Sequence, residues 1–219
     1  MNKKEIKYGL ILDAAKIVFS EVGYHKASVS RIAKKAGIGD GTVYLYFSNK
    51  EDVLKKLFHN TIYYEFAPKA ESLMEDIEDP RLKLYELVRN HLHYFGKDYA
   101  LSKVIQIEAR QSSSEIREAM KAGIKRYFKL IESIIEDGQK KGVYREDISK
   151  KTARQVIFGS LDEVVTCWVL SSRSYPLSSK VDEVFRVLLT AIYNFSFIEN
   201  LPWTMQPKEF STKQVEDML

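Results

Sequence analysis

The chain is poor in several residues and patterns that would otherwise narrow its chemistry. Its single cysteine, Cys167, excludes an intramolecular disulfide, and its four histidines form no Cys/His cluster at zinc-ligand spacing. No apolar run approaches the roughly twenty residues that a membrane-spanning helix requires. The N-terminal MNKKEIKYGLILDAAK is broken by Asp13 and Lys16 before a hydrophobic leader core can develop, so a cytoplasmic protein without structural zinc or redox chemistry is expected. Neither a glycine-rich phosphate loop nor a nucleophile elbow is present, and His91 and His93, two apart, would point in different directions from a helix. Catalysis is therefore not expected. Strand signals are also scarce.

What remains is helical periodicity and an uneven charge. Residues 1–60 hold 11 Lys and Arg against 6 Asp and Glu, and the other 159 hold 23 against 24. The positive excess sits at the front, where it suits a polyanionic partner or forms an ordinary solvated lysine surface. Ile6, Leu10, Ala14, Ile17 and Val18 mark a first helix that stops near Val22-Gly23. Ser28 can cap a second short helix carrying Ile32, Ala33 and Ala36 and ending at Gly37. A third covers residues 40–47, and Ser48-Asn49-Lys50-Glu51 reads as a capping box for a fourth. Later helices are expected over residues 80–95, 101–111, 114–140, 150–171 and 177–197, with Pro68 as a kink or break. The pattern is lost in the Pro-containing tail. The expected architecture is all-α: a head over residues 1–50, a helical body over 51–198, and an irregular extension over 199–219.

The second and third helices, joined by a tight glycine-containing turn, form a helix-turn-helix, whose second helix fits the DNA major groove. Ala33 and Ala36 permit close approach, Gly37 the turn, and Gly41 room for a nearby backbone. The block from Ser28 to Glu51 resembles the TetR family over about residues 8–58. That resemblance implies a dimeric repressor in which Ser28 caps and touches phosphate, Thr42 and Tyr46 face DNA, and Lys50 contacts phosphate. Lys34, Gly39, Asp40, Gly41 and Tyr44 complete the candidate DNA surface. Tyr44 and Phe47, three apart, can instead be core. Gly39-Asp40 departs from the serine-lysine of many relatives. Asp40 is either a reader of cytosine amino groups or a solvated helix cap.

In the body, the runs Gln106–Ser112, Glu115–Glu118, Ala153–Gly159 and Asp162–Trp168 resemble the FadR-type branch of that family, which represses fatty-acid degradation in Gram-positive bacteria. The resemblance implies a long-chain acyl-CoA effector and no other cofactor. An acyl chain needs an apolar channel, for which Tyr94, Phe95, Val104, Ile105, Tyr127, Phe128, Ile131 and Phe158 are candidates, although aromatic residues at helical spacing also build ordinary cores. Arg110 and Arg117, with Arg154 as a further candidate, can pair with CoA phosphates or be salt-bridged at helix ends. Trp168 belongs either to the pocket or to a subunit seam.

The last two helices are the expected homodimer interface, through Val156, Ile157, Ser160, Leu161, Val164 and Val165 on one and Val184, Val187, Leu188, Ala191 and Ile192 on the other. Two rival readings stay open. One is a ligand-binding module without DNA function; the other is an efflux-pump regulator taking an amphipathic cation beside Glu108, Asp162 and Glu163.

Overall fold

The computed structural model describes residues 3–108, 114–171 and 175–194. Three helices form the head: α1 (Lys3–Val22), α2 (Val29–Ala36) and α3 (Asp40–Tyr44). Helix α1 buries Ile11, Ala15, Val18 and Phe19, in part against α2, which returns Ile32 and Ala33 to the same core. Helix α3 is shorter than expected, ending at Tyr44 in a turn that carries Phe47 into the core against Tyr8, with ring centroids 5.1 Å apart.

Helix α4 (Lys50–His59) is capped one residue later than expected. The Asn49 side chain accepts from the Asp52 N–H at 2.9 Å, while Asp52 accepts from the Ser48 N–H at 3.1 Å. Asn49 is thus the cap, and the return bond of Asp52 reaches the N–H of Ser48, one residue before it. Helix α4 passes into a π-helical segment, Asn60–Phe66, and then α5 (Ala67–Ser72). Pro68 does not break this rod. It falls in the first turn of α5, where the helix passes from π to α register.

Asp79 caps α6 (Pro80–Lys97) and Asp98 caps α7 (Tyr99–Lys103), which continues as a second π-helical segment, Val104–Glu108. The helix expected over 101–111 therefore starts two residues early and changes register, and residues 109–111 lie outside the described residues. Helix α8 (Ser114–Lys140) is the central element, touching α4, the first π segment, α5, α6 and α9 (Lys150–Leu170). A 3₁₀ turn, Leu177–Lys180, leads into α10 (Val181–Ile192). Helix α10 stops short of the expected residue 197 because Tyr193 turns extended and bridges Tyr144, with the Arg145 N–H on the Ile192 carbonyl at 2.9 Å. The expected extension over 199–219 lies outside the described residues.

The stripes assigned to dimerisation divide between inside and outside. Ile157, Leu161, Val165, Leu188 and Ile192 are buried within the subunit, because α9 and α10 must also cover α6 and α8. The outward faces carry Val156 and Leu170 on α9 and Val187 on α10, together with exposed Gly159 and Ala191.

Candidate nucleic-acid interface and ligand cavity

The head presents its second and third helices as a closed unit. Ser28 caps α2 by accepting from the Arg31 N–H at 3.3 Å. Gly37, at φ 69°, ends the helix in the left-handed region, and the Ile38 N–H returns to the Ala33 carbonyl at 3.0 Å. The Ser30 hydroxyl donates to the Asp40 carboxylate, so the starts of α2 and α3 are tied together and Asp40 is more than a solvated cap. Lys34, Gly39, Asp40 and Gly41 are exposed, while Thr42 and Tyr46 are half-buried.

Tyr44 is 57% exposed, which removes the core reading for it. Phe47 is core, as expected of it. Leu45, which the sequence did not single out, is 79% exposed beside Tyr44 and makes an apolar tip on the same surface.

Lys50 is placed differently from the expectation of a phosphate contact. Its ammonium donates to the carbonyls of Tyr24, His25 and Ala27 at 2.9, 3.1 and 3.1 Å and lies 4.6 Å from the centre of the Tyr24 ring. All three of its donors are thereby used on the turn between α1 and α2. In this structure Lys50 clamps that turn to the start of α4.

The body holds a half-open cavity of about 360 Å³. The first π segment contributes Ile62 and Phe66, and α6 contributes His91 and Phe95. The second π segment adds Ile105 and Gln106, α8 adds Arg117, Met120 and Ile124, and α9 closes it with Phe158 and Asp162. The wall is mostly apolar. Arg117 is exposed, so the one cation of the lining among the described residues meets solvent. Gln106 donates to Asp162 at 3.0 Å and accepts from Thr166 at 2.9 Å, which engages the polar groups on that side. His91 is buried, and burial lowers its pKa to about 3, so it is neutral.

Of the residues expected to hold a ligand, Phe95, Ile105, Arg117 and Phe158 line the cavity. Tyr127 stands behind it, its hydroxyl 3.1 Å from His91 Nδ1. Val104 and Ile131 are fully buried core, and Tyr94 turns its hydroxyl to Glu65 at 2.9 Å. Phe128 packs edge-on against Phe158 under the Arg154 guanidinium, and Arg154 lies 2.9 Å from Glu132. Trp168 lies outside both assigned places: it is buried inside the subunit against Tyr99, with its indole N–H on the Tyr175 carbonyl at 3.1 Å. Arg110 lies outside the described residues.

Among the described residues, body and head meet at several places. The rod from α4 into the first π segment is one. Lys16 on α1 pairs with Asp98 at 2.5 Å. Glu108, two residues beyond cavity-lining Gln106, accepts the Tyr24 N–H at 3.1 Å.

Residues 11–57 match the family model described as bacterial regulatory proteins of the tetR family, and residues 59–191 match that described as the YsiA-like protein C-terminal region. The fatty acid metabolism regulator protein of Bacillus subtilis strain 168 is 38% identical over 194 residues, covering 89% of this chain and 100% of the relative.

The chain belongs to the TetR family.

Two solved structures are similar over most of the chain. The fatty acid degradation regulator FadR from Bacillus halodurans has 44% identity and a TM-score of 0.81, covering 86% of this chain and 97% of that one. FadR from Bacillus subtilis in complex with stearoyl-CoA has 37% identity and a TM-score of 0.79, covering 85% and 100%. NalD, a repressor of a multidrug efflux pump in Pseudomonas aeruginosa, has a TM-score of 0.70 at 20% identity and shares the fold alone.

The acidic residues that kept an efflux reading open do not converge on the cavity. Glu108 faces Tyr24, Glu163 accepts from Cys167, and Asp162 alone reaches the lining, where it accepts from Gln106. Among the described residues there is no group of side chains suited to a metal ion, and no helix is long and apolar enough to cross a membrane. His91, Ile62, Phe66, Met120, Ile124 and Gln106 are the cavity residues that the sequence reading missed.

Proposed function

We propose that this chain is a cytoplasmic, non-enzymatic repressor that binds a pseudo-palindromic operator as a homodimer and is released from it by long-chain acyl-CoA, so controlling fatty-acid degradation genes. The observation that carries this reading is the largely apolar cavity with Arg117 at its exposed side, in a chain similar over most of its length to a stearoyl-CoA-binding regulator. The fit is chemical. Apolar walls take the acyl chain, and Arg117 offers a planar donor to phosphate at the solvent edge.

Residues 1–50 are the DNA-binding domain in this reading, and 51–198 the ligand and dimer domain. Asp40, Gly41, Thr42, Tyr44 and Tyr46 face the major groove, with Leu45 as an apolar contact, while Ser28 and Lys34 approach phosphate. Lys50 positions the head by holding its first turn. The dimer forms through the outward faces of α9 and α10, where Val156, Leu170 and Val187 are exposed.

Release follows from linkage. A ligand that prefers one spacing of the two reading heads shifts the equilibrium by at most its differential affinity for the two arrangements. Both π segments line the cavity and both lead to the head, one through α4 and one through Glu108 and Tyr24. An operator fragment selected from genomic DNA and titrated with lauroyl-, palmitoyl- and stearoyl-CoA in a fluorescence anisotropy assay tests the proposal. Loss of the complex with the acylated ligands but not with CoA supports it. A complex that persists at saturating acyl-CoA overturns it.

A further inference from the structure

His91 lines the cavity and carries a buried ring nitrogen without a partner. Its ring is 2% exposed and packed between Phe66, 5.4 Å away in an edge arrangement, and Phe95, 4.9 Å away, both of which line the same cavity. Its Nδ1 lies 3.1 Å from the Tyr127 hydroxyl, and its Nε2 has no hydrogen-bond partner among the described residues. A neutral imidazole carries one N–H. If that proton sat on Nδ1, Tyr127 would accept it, and both the phenolic proton and the Nε2 lone pair would be left without partners. If Tyr127 donates to Nδ1, only the Nε2–H remains. The second arrangement leaves fewer polar groups unpaired.

A buried donor left unpaired costs roughly ten- to a hundredfold in an equilibrium, and a ligand that brings an acceptor to it recovers that factor on binding. The other polar groups of the lining have different tasks. Gln106 and Asp162 bond to each other, and Arg117 stands at the solvent side. An acyl-CoA carries one acceptor directly adjoining its hydrocarbon, the thioester carbonyl.

We infer that His91 donates its Nε2–H to the thioester carbonyl of the bound effector, with Tyr127 fixing the tautomer, so that His91 is a specificity residue for acyl thioesters over other long-chain ligands. This rests on the acyl-CoA reading above. Stearoyl-CoA and its thioether analogue S-octadecyl-CoA, which has the same chain length but no carbonyl oxygen, separate the two claims when titrated calorimetrically into the full-length protein.

The wild type is expected to prefer the thioester by about ten- to a hundredfold. His91→Phe, which keeps the aromatic packing, is expected to bind both ligands alike, and His91→Gln, which restores a donor, to recover part of the preference. Thermal melts report whether each variant is folded. Equal binding of the two ligands by the wild type overturns the role of His91 and leaves the acyl-CoA reading standing, and that arm does not depend on any variant folding. Failure of both ligands to bind the wild type overturns the acyl-CoA reading and the inference with it. A thioester preference that survives unchanged in His91→Phe places the donor elsewhere and also overturns the inference.

Discussion

Gly123→Ala is the substitution whose outcome the packing fixes most tightly. Gly123 lies on α8 where that helix crosses the first π segment, and a Cβ there would meet Ile62 Cγ2 at 2.8 Å, the Tyr63 backbone N at 2.9 Å and the Ile62 carbonyl carbon at 3.0 Å. Two of these three atoms are main chain and cannot rotate away. The whole π segment would have to retreat. Gly9, in α1, is the matched control, because a Cβ there meets nothing within 4 Å.

Replacing a helical glycine by alanine stabilises by about 0.5–1 kcal/mol when the space is free, and Gly9→Ala should gain that much. Gly123→Ala has the same gain but carries an overpacking cost of about 1–3 kcal/mol. The two variants should therefore differ by about 1–3 kcal/mol, with Gly123→Ala below wild type. Urea unfolding with unchanged slope measures this directly. If Gly123→Ala gains as much as Gly9→Ala, the close crossing of α8 and the π segment is wrong. Because Met120 and Ile124 flank Gly123 on the cavity side while Ile62 continues the α4 rod, the variant should also weaken acyl-CoA-dependent release of DNA.

Three further outcomes follow from named residues. Lys50→Met removes three donors from the α1–α2 turn and should destabilise by about 1–3 kcal/mol in urea unfolding, while the slope of operator affinity against salt stays at its wild-type value. A slope lowered by about 0.9 for each phosphate that Lys50 had neutralised would place its ammonium on DNA instead. Glu108→Gln weakens the acceptor for the Tyr24 N–H, and the ratio of operator affinities without and with acyl-CoA should shrink while affinity for the ligand holds; an unchanged ratio would remove Glu108 from the coupling.

His91 supplies a pH test. Its folded pKa lies near 3 because burial disfavours the cation, whereas an unfolded histidine titrates near 6.5. Below pH 6.5 the unfolded chain takes up a proton that the folded chain refuses. Its stabilising contribution is therefore intact above about pH 6.5 and falls as the pH drops toward 3. Between pH 7 and pH 5 the wild type should lose about 2 kcal/mol more than His91→Gln in unfolding experiments, and parallel curves would refute the neutral buried assignment.

The head was largely legible because its signals are local. A capping serine, a left-handed glycine and alternating small residues each act within a few positions of themselves, and they specify the turn without help from the rest of the chain. Errors arose where two residues could do the same task. Ser48 and Asn49 are both competent caps, and the choice rests on whether Glu51 or Asp52 reaches back. Tyr44 and Phe47 would share a face only if α3 continued, but it ends at Tyr44 and the two side chains diverge.

The cavity was harder. Phe95, Ile105 and Phe158 share the apolar spacing of Val104 and Ile131, which lie in solid core, and nothing in a hydrophobic pattern separates a lining residue from one a layer behind it. The π segments are equally silent, since adding one residue to a turn leaves composition unchanged. Val156 and Ile157 show the same limit for dimerisation, adjacent and equally apolar yet one exposed and one buried. His91 had a usable signal. It stands between Leu87 and Phe95 at four-residue spacing, which marks a polar group on an otherwise apolar helix face.

Under the proposed function, operator and acyl-CoA exclude each other through one conformational equilibrium, whose signature is reciprocity. Stearoyl-CoA affinity should be measured by calorimetry on the free dimer and on the dimer saturated with its operator, beside operator affinity with and without the ligand. Linkage requires the two ratios to be equal, so operator should weaken stearoyl-CoA binding by the same factor as stearoyl-CoA weakens operator binding. An affinity for stearoyl-CoA that operator leaves unchanged would contradict it.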